Sequence, residues 1–173
     1  MIKQSIQSNL VNIKFEDEPN ITVRESSAPT NFIEWVNRIA LATVFFWFGF
    51  LKVVHVSPAE ELVTQLHTVT LAKYIPLESF LVILGTVESV IGVLWLLPRC
   101  TKLVFWLFIP QMITTFMPLF WLPNVTWQSM LCLTLTGQYI IKNLVLIASA
   151  FTVLYLYNTK KGHPGFSLLF WKK

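Results

Sequence analysis

Four stretches of this sequence, 35–56, 77–97, 103–120 and 137–157, are each apolar enough and long enough to cross a bilayer. An α-helix rises about 1.5 Å per residue, so roughly 20 such residues traverse a hydrocarbon core of roughly 30 Å. Four spans and their connections nearly exhaust the 173 residues and leave no room for a large soluble catalytic domain. Hydrophobic residues make up 54% of the chain and the mean hydropathy is +0.60, too apolar for a domain that must cover itself with polar side chains. The expected fold is an all-α membrane protein, a four-transmembrane-helix bundle whose main solvent is lipid.

The segments between the runs refine this plan. Residues 1–30 are polar and mixed in charge, unlike a cleavable leader, so the first apolar run is expected to stay as an anchor. Weak alternation at 10–15 and 21–24 makes this arm either a strand or two or a loosely ordered segment beside the membrane. Asn31 followed by Glu34 predicts the start of the first helix. Ser57-Pro58-Ala59-Glu60 reads as a capping box with proline at the first helical position. Beyond it Leu62, Val63, Leu66 and Val69 recur at helical spacing against polar Glu60, Glu61, Gln65 and His67. That pattern predicts a short interfacial helix between spans 1 and 2. Pro98-Arg99-Cys100-Thr101-Lys102 is a tight turn that makes spans 2 and 3 antiparallel neighbours, and an apolar shoulder at 130–135 precedes the last span. The chain thus divides into an arm (1–30), a four-helix transmembrane domain (31–158) and a basic tail (159–173).

Basic residues resist translocation. An even number of spans puts the arm, the 98–102 turn and the tail on one side, which collects ten of the thirteen Lys and Arg; the opposite loops hold Lys73 alone, and Lys52 and Lys142 lie within spans. Both termini are therefore expected in the cytoplasm, the protein residing in a bacterial-type cytoplasmic (inner) membrane. This topology parts Cys100 from Cys132 by a bilayer thickness, beyond disulfide reach. Asn124-Val125-Thr126 matches a glycosylation acceptor, a tripeptide common by chance.

Ionisable groups inside spans are costly and point to function. Glu88 lies ten residues beyond Glu78, roughly 15 Å deep and near the midplane by helical rise. A carboxylate there costs on the order of 2.5–3.5 kcal/mol even on the lenient insertion scale, so it calls for a partner or a ligand. Lys52, about one turn inside the end of span 1, and Lys142, five residues into span 4, approach it from one side; alternatively each snorkels to the surface. Gly85, Glu88, Ser89 and Gly92 share a face of span 2, Gln111, Thr114, Thr115 and Pro118 one of span 3, and Gln138 and Lys142 one of span 4. These faces are expected to converge on an outward-opening polar pocket, or, for the small residues, to permit close helix packing. The candidate ligand-binding set is Lys52, Glu88, Gln111, Gln138, Lys142 and Asn143, with Glu88 as proton carrier. No pair of imidazoles faces across spans, so haem is not expected, and the His and Cys spacings make no metal site.

Several strings resemble the DoxX-like family of small four-helix membrane proteins over 38–157: Arg38-Ile39-Ala40-Leu41, Gly49-Phe50-Leu51-Lys52, Gly85-Thr86-Val87-Glu88-Ser89-Val90-Ile91-Gly92, and Gly137-Gln138-Tyr139-Ile140-Ile141-Lys142-Asn143-Leu144. The last is similar to the branch with YkgB-like proteins of oxidative and chlorine stress, and other members are similar to the small subunit of thiosulfate:quinone oxidoreductase. The resemblance implies the fold, the topology and the set Lys52, Glu88, Gln138, Lys142 and Asn143. Three functions fit: a membrane subunit of a redox or stress-response system that binds a quinone or small anion while a partner supplies the redox centre; a non-catalytic structural or assembly subunit of a larger complex; and a small-solute carrier, for which no inverted repeat is visible. The partners expected are membrane lipid and another membrane or redox protein, with a homo-oligomer left open; nucleic acid is not among them.

Overall fold

The structure, a computed structural model, describes residues 27–162, so the strands considered at 10–15 and 21–24 fall outside it. Its helices are α1 (Ser27–Val53), α2 (Glu60–Thr70), α3 (Leu77–Trp95), α4 (Thr101–Phe116), α5 (Pro118–Trp121), α6 (Pro123–Thr126), α7 (Leu135–Lys142) and α8 (Leu144–Lys160). Strands β1 (Trp127–Ser129) and β2 (Cys132–Leu133) form a small antiparallel hairpin before α7. Four helical segments, Thr30–Val53, Leu77–Trp95, Pro98–Trp121 and Leu135–Lys160, are long and apolar enough to cross a membrane. Among the described residues the protein is an all-α bundle apart from that hairpin.

Local chemistry accounts for most boundaries, and three differ from expectation. Helix α1 is already running at Ser27, so Asn31 and Glu34 are not its cap, and Glu34 is freed for the interior. The Ser57 hydroxyl accepts from the Ala59 amide at 3.3 Å, but α2 begins at Glu60 and not at Pro58. Neither half of the expected capping box forms: the Glu60 amide donates to the Ser57 carbonyl at 3.1 Å, and the Glu60 carboxylate faces the His55 ring, 3.8 Å away. The fourth span is not one helix: it breaks at Asn143, whose amide turns back to the Ile140 carbonyl at 3.0 Å before α8 resumes. The apolar shoulder at 130–135 becomes the hairpin, with Leu131 at its tip in a left-handed conformation, φ 64°.

The core is an aromatic and aliphatic layer from all four spans. Leu41, Phe45, Ile91, Trp95, Phe105, Phe108 and Leu154 are 0–5% exposed. Phe108 is its hub, 5.5 Å from the Phe45 ring and 5.9 Å from Trp95 by centroids. Helices α1 and α3 make the closest pair, since a Cβ on Gly49 would lie 2.6 Å from the Gly85 carbonyl and one on Gly92 2.5 Å from the Phe46 amide. Only glycine lets two backbones approach so closely, which lipid-embedded helices use because no hydrophobic force drives them together. The outward faces stay apolar, with Trp47, Phe48, Phe50, Val90 and Trp106 exposed, as a surface facing acyl chains requires.

Candidate functional site

The glycine seam sets the register that creates the site. Gly85 packs on Gly49, Lys52 and Val53, so Glu88 lies level with the last turns of α1. The first two turns of α3 overhang the end of α1, and depth counted from Glu78 therefore overstates how far Glu88 lies from that end of the bundle. Helical side chains lean toward their own N-terminus. In the antiparallel pair Lys52 leans back into the bundle while Glu88 leans out to meet it.

They meet with the Lys52 Nζ 2.5 Å from Glu88 Oε2, a buried ion pair. Gln111 of α4 donates through Nε2 to Glu88 Oε1 at 2.7 Å. Both carboxylate oxygens are thus paired, and Lys52, Glu88 and Gln111 are 6%, 8% and 7% exposed. The triad ties α1, α3 and α4 together near the end opposite the termini. Its neighbours are not ligands to it: the Ser89 hydroxyl donates to the Gly85 carbonyl, and Thr114 and Thr115 both donate to the Gln111 carbonyl.

Three members of the sequence set lie elsewhere. Lys142 is exposed and rests over the Tyr139 ring, 4.7 Å from its centroid. The physical reason is direction: span 4 enters from the same end as span 2, so the Lys142 stem leans toward that surface and away from Glu88. Gln138 is exposed and donates to the Leu133 carbonyl at 3.4 Å; Asn143 is half-buried, its amide 3.4 Å from the Tyr139 carbonyl. Two apolar grooves of about 380 and 400 Å³ open on the outside of the bundle, one beside Phe46 and Phe50 and one beside Met112 and Phe116; Lys52, Glu88 and Gln111 line neither.

A second buried polar cluster was not anticipated. Arg38 is 0% exposed, donating through Nε to Glu34 at 2.8 Å, through Nη1 to the Trp95 carbonyl at 3.0 Å and through Nη2 to the Thr101 hydroxyl at 2.6 Å. Lys160 closes on the other oxygen of Glu34. One guanidinium thereby satisfies the end of α3 and the start of α4, and the cluster draws on all four spans. The sequence marked Arg38 as a topology charge and as part of the resemblance, with no partner assigned to it. The available signal was Glu34 four residues before Arg38 inside an apolar stretch, the favourable order for a helical ion pair.

The described residues hold no group of three or more His, Cys, Asp or Glu arranged to grip a metal ion. No protein-family model, curated protein or solved structure matches the chain.

Proposed function

We propose that this chain is the membrane subunit of a redox or stress-response system of the kind the DoxX-like resemblance implies, holding a quinone headgroup at Lys52, Glu88 and Gln111 while a partner protein supplies the electrons. The observation that carries this reading is the triad itself: an acid, a base and an amide converge in a low-dielectric interior. Quinone reduction takes up protons along with electrons; the Lys52 ammonium carries a proton it can pass to a carbonyl oxygen, and the Glu88 carboxylate beside it can take up the replacement proton. A neutral headgroup fits better than a small anion, because Glu88 already neutralises Lys52 and an anion would have to displace it. This reading places the chain in the cytoplasmic membrane with both termini inside, which the bias of basic residues supports.

The test is the quinone that copurifies with the protein. Glu88→Gln keeps the shape and an acceptor oxygen for Lys52 but removes the charge, so the fold is expected to survive at lowered stability, because Lys52 loses its counter-charge, while retained quinone falls at least several-fold. A second reading rests on a different observation, the complete pairing of both Glu88 oxygens beside an interlocking glycine seam, which suits a clip that fixes helix register in a structural subunit. Under that reading Glu88→Leu strands the Lys52 charge and destabilises the chain, whereas Lys52→Met combined with Glu88→Leu is about as stable as the native chain and equally active.

A further inference from the structure

The triad is closed: none of its three residues is more than 8% exposed, so any ligand reaching Glu88 needs an opening. On the side of the termini the way is filled by Ile91, Trp95, Phe45 and Phe108, and beyond them by the Arg38 cluster. The opposite side differs. Leu81 stands two turns nearer that end on the face of Glu88 and is 2% exposed, although it lies past the end of α1. Helix α2 runs across this end, packed on α3 and on α5, the outer turn of span 3. It roofs the gap between the two helices that carry Glu88 and Gln111.

The roof is lightly held. Its apolar residues Leu62, Val63 and Leu66 are only half-buried. Its N-terminal connection starts from His55, a non-glycine residue at φ 56°, in a cap where the His55 and Val56 amides bond back to the Lys52 and Leu51 carbonyls at 3.3 and 3.0 Å. Its C-terminal end is clasped by His67, which is buried against the Phe80 ring and bonded through Nε2 to the Ile75 carbonyl at 2.8 Å. A carbonyl can only accept, so that nitrogen carries the proton.

We infer that α2 is a lid, hinged at His55 and latched by His67, whose opening admits the headgroup to Glu88 from the side opposite the termini. The inference rests on the quinone reading for the identity of the occupant, and on geometry alone for the route. Segments with few buried apolar contacts open locally at low free energy, and α2 is such a segment while α3 is not.

Hydrogen exchange on the native chain in lipid nanodiscs is the first test. The α2 amides are expected to exchange at least an order of magnitude faster than those of α3 around Glu88; equal protection overturns the lid. The second places one thiol in the site, Gln111→Cys with Cys100→Ser and Cys132→Ser, in vesicles of known orientation. A membrane-impermeant maleimide is expected to label it from the α2 side only, and several-fold faster once His67→Ala removes the latch. Labelling from the side of the termini, no labelling, or a rate indifferent to His67→Ala overturns the inference. If the cysteine variant does not fold, the exchange experiment decides alone. Glu88→Gln that retains its quinone sinks the functional reading and leaves both lid readouts standing.

Discussion

Lys52 shows how little of a residue's role is set by its own chemistry. A lysine one turn from the end of a span has two destinations, the surface or the interior, and its choice follows from the direction in which helical side chains lean. Lys52, on a helix approaching that end, leans inward to Glu88; Lys142, on a helix leaving it, leans outward over Tyr139. Removing one partner of a buried pair strands the other charge. Lys52→Met is therefore expected to destabilise the protein by about 3–5 kcal/mol, and Lys52→Met with Glu88→Leu to recover most of that loss. Thermal unfolding of both single variants and the double variant in one detergent measures it. Additive losses would show that the two residues do not act as a pair.

At the level of elements, the α1–α3 seam does two jobs at once. The small residues expected either to line a pocket or to permit close packing do the latter, and by doing so bring Lys52 level with Glu88. Gly85→Ala puts a methyl 2.6 Å from the Gly49 carbonyl and 2.9 Å from the Lys52 Cβ. The helices must part, with an expected cost of about 1–3 kcal/mol and a weakened ion pair, checked by unfolding and by quinone retention. A fully active and stable alanine variant would mean that the seam does not set the site. The cap after α1 gives the opposite sign. His55 occupies the left-handed position that usually falls to glycine, at a cost of roughly 1–2 kcal/mol for an L-residue. His55→Gly is expected to stabilise the chain by about 1 kcal/mol, measured the same way.

For the whole molecule, the two polar clusters make the bundle a stack of layers. The Arg38 cluster binds all four spans at the end with the termini; a dry layer around Phe108 follows; the triad then joins three spans at the other end. The fourth span takes no part in that triad and is broken at Asn143. The two cysteines mark the two ends, Cys100 in the turn beside the Arg38 cluster and Cys132 exposed on the hairpin. In the proposed orientation, an impermeant thiol reagent on intact cells is expected to label Cys132 and to reach Cys100 only after lysis. Labelling in the reverse order would invert the orientation and put the α2 lid on the cytoplasmic side.

The number and approximate placement of the spans, the short helix between the first two, the tight turn at 98–102 and the need of Glu88 for a partner were legible in the sequence, whereas the choice of Lys52 over Lys142 and the bond from Gln111 were not. Length, hydropathy and helical spacing are local quantities, and a carboxylate in an apolar run announces its need for a partner. Other features were decided only in three dimensions. Glu34 could be read as a cap until the start of α1 was known, and Arg38 as a topology charge until Trp95 and Thr101 were seen to receive it. Whether Lys142 joins Glu88 depends on helix direction and rotation, and whether α2 covers the site depends on what it packs against. Spacing along one helix determines which residues share a face; only the packing of helices against one another determines what that face meets.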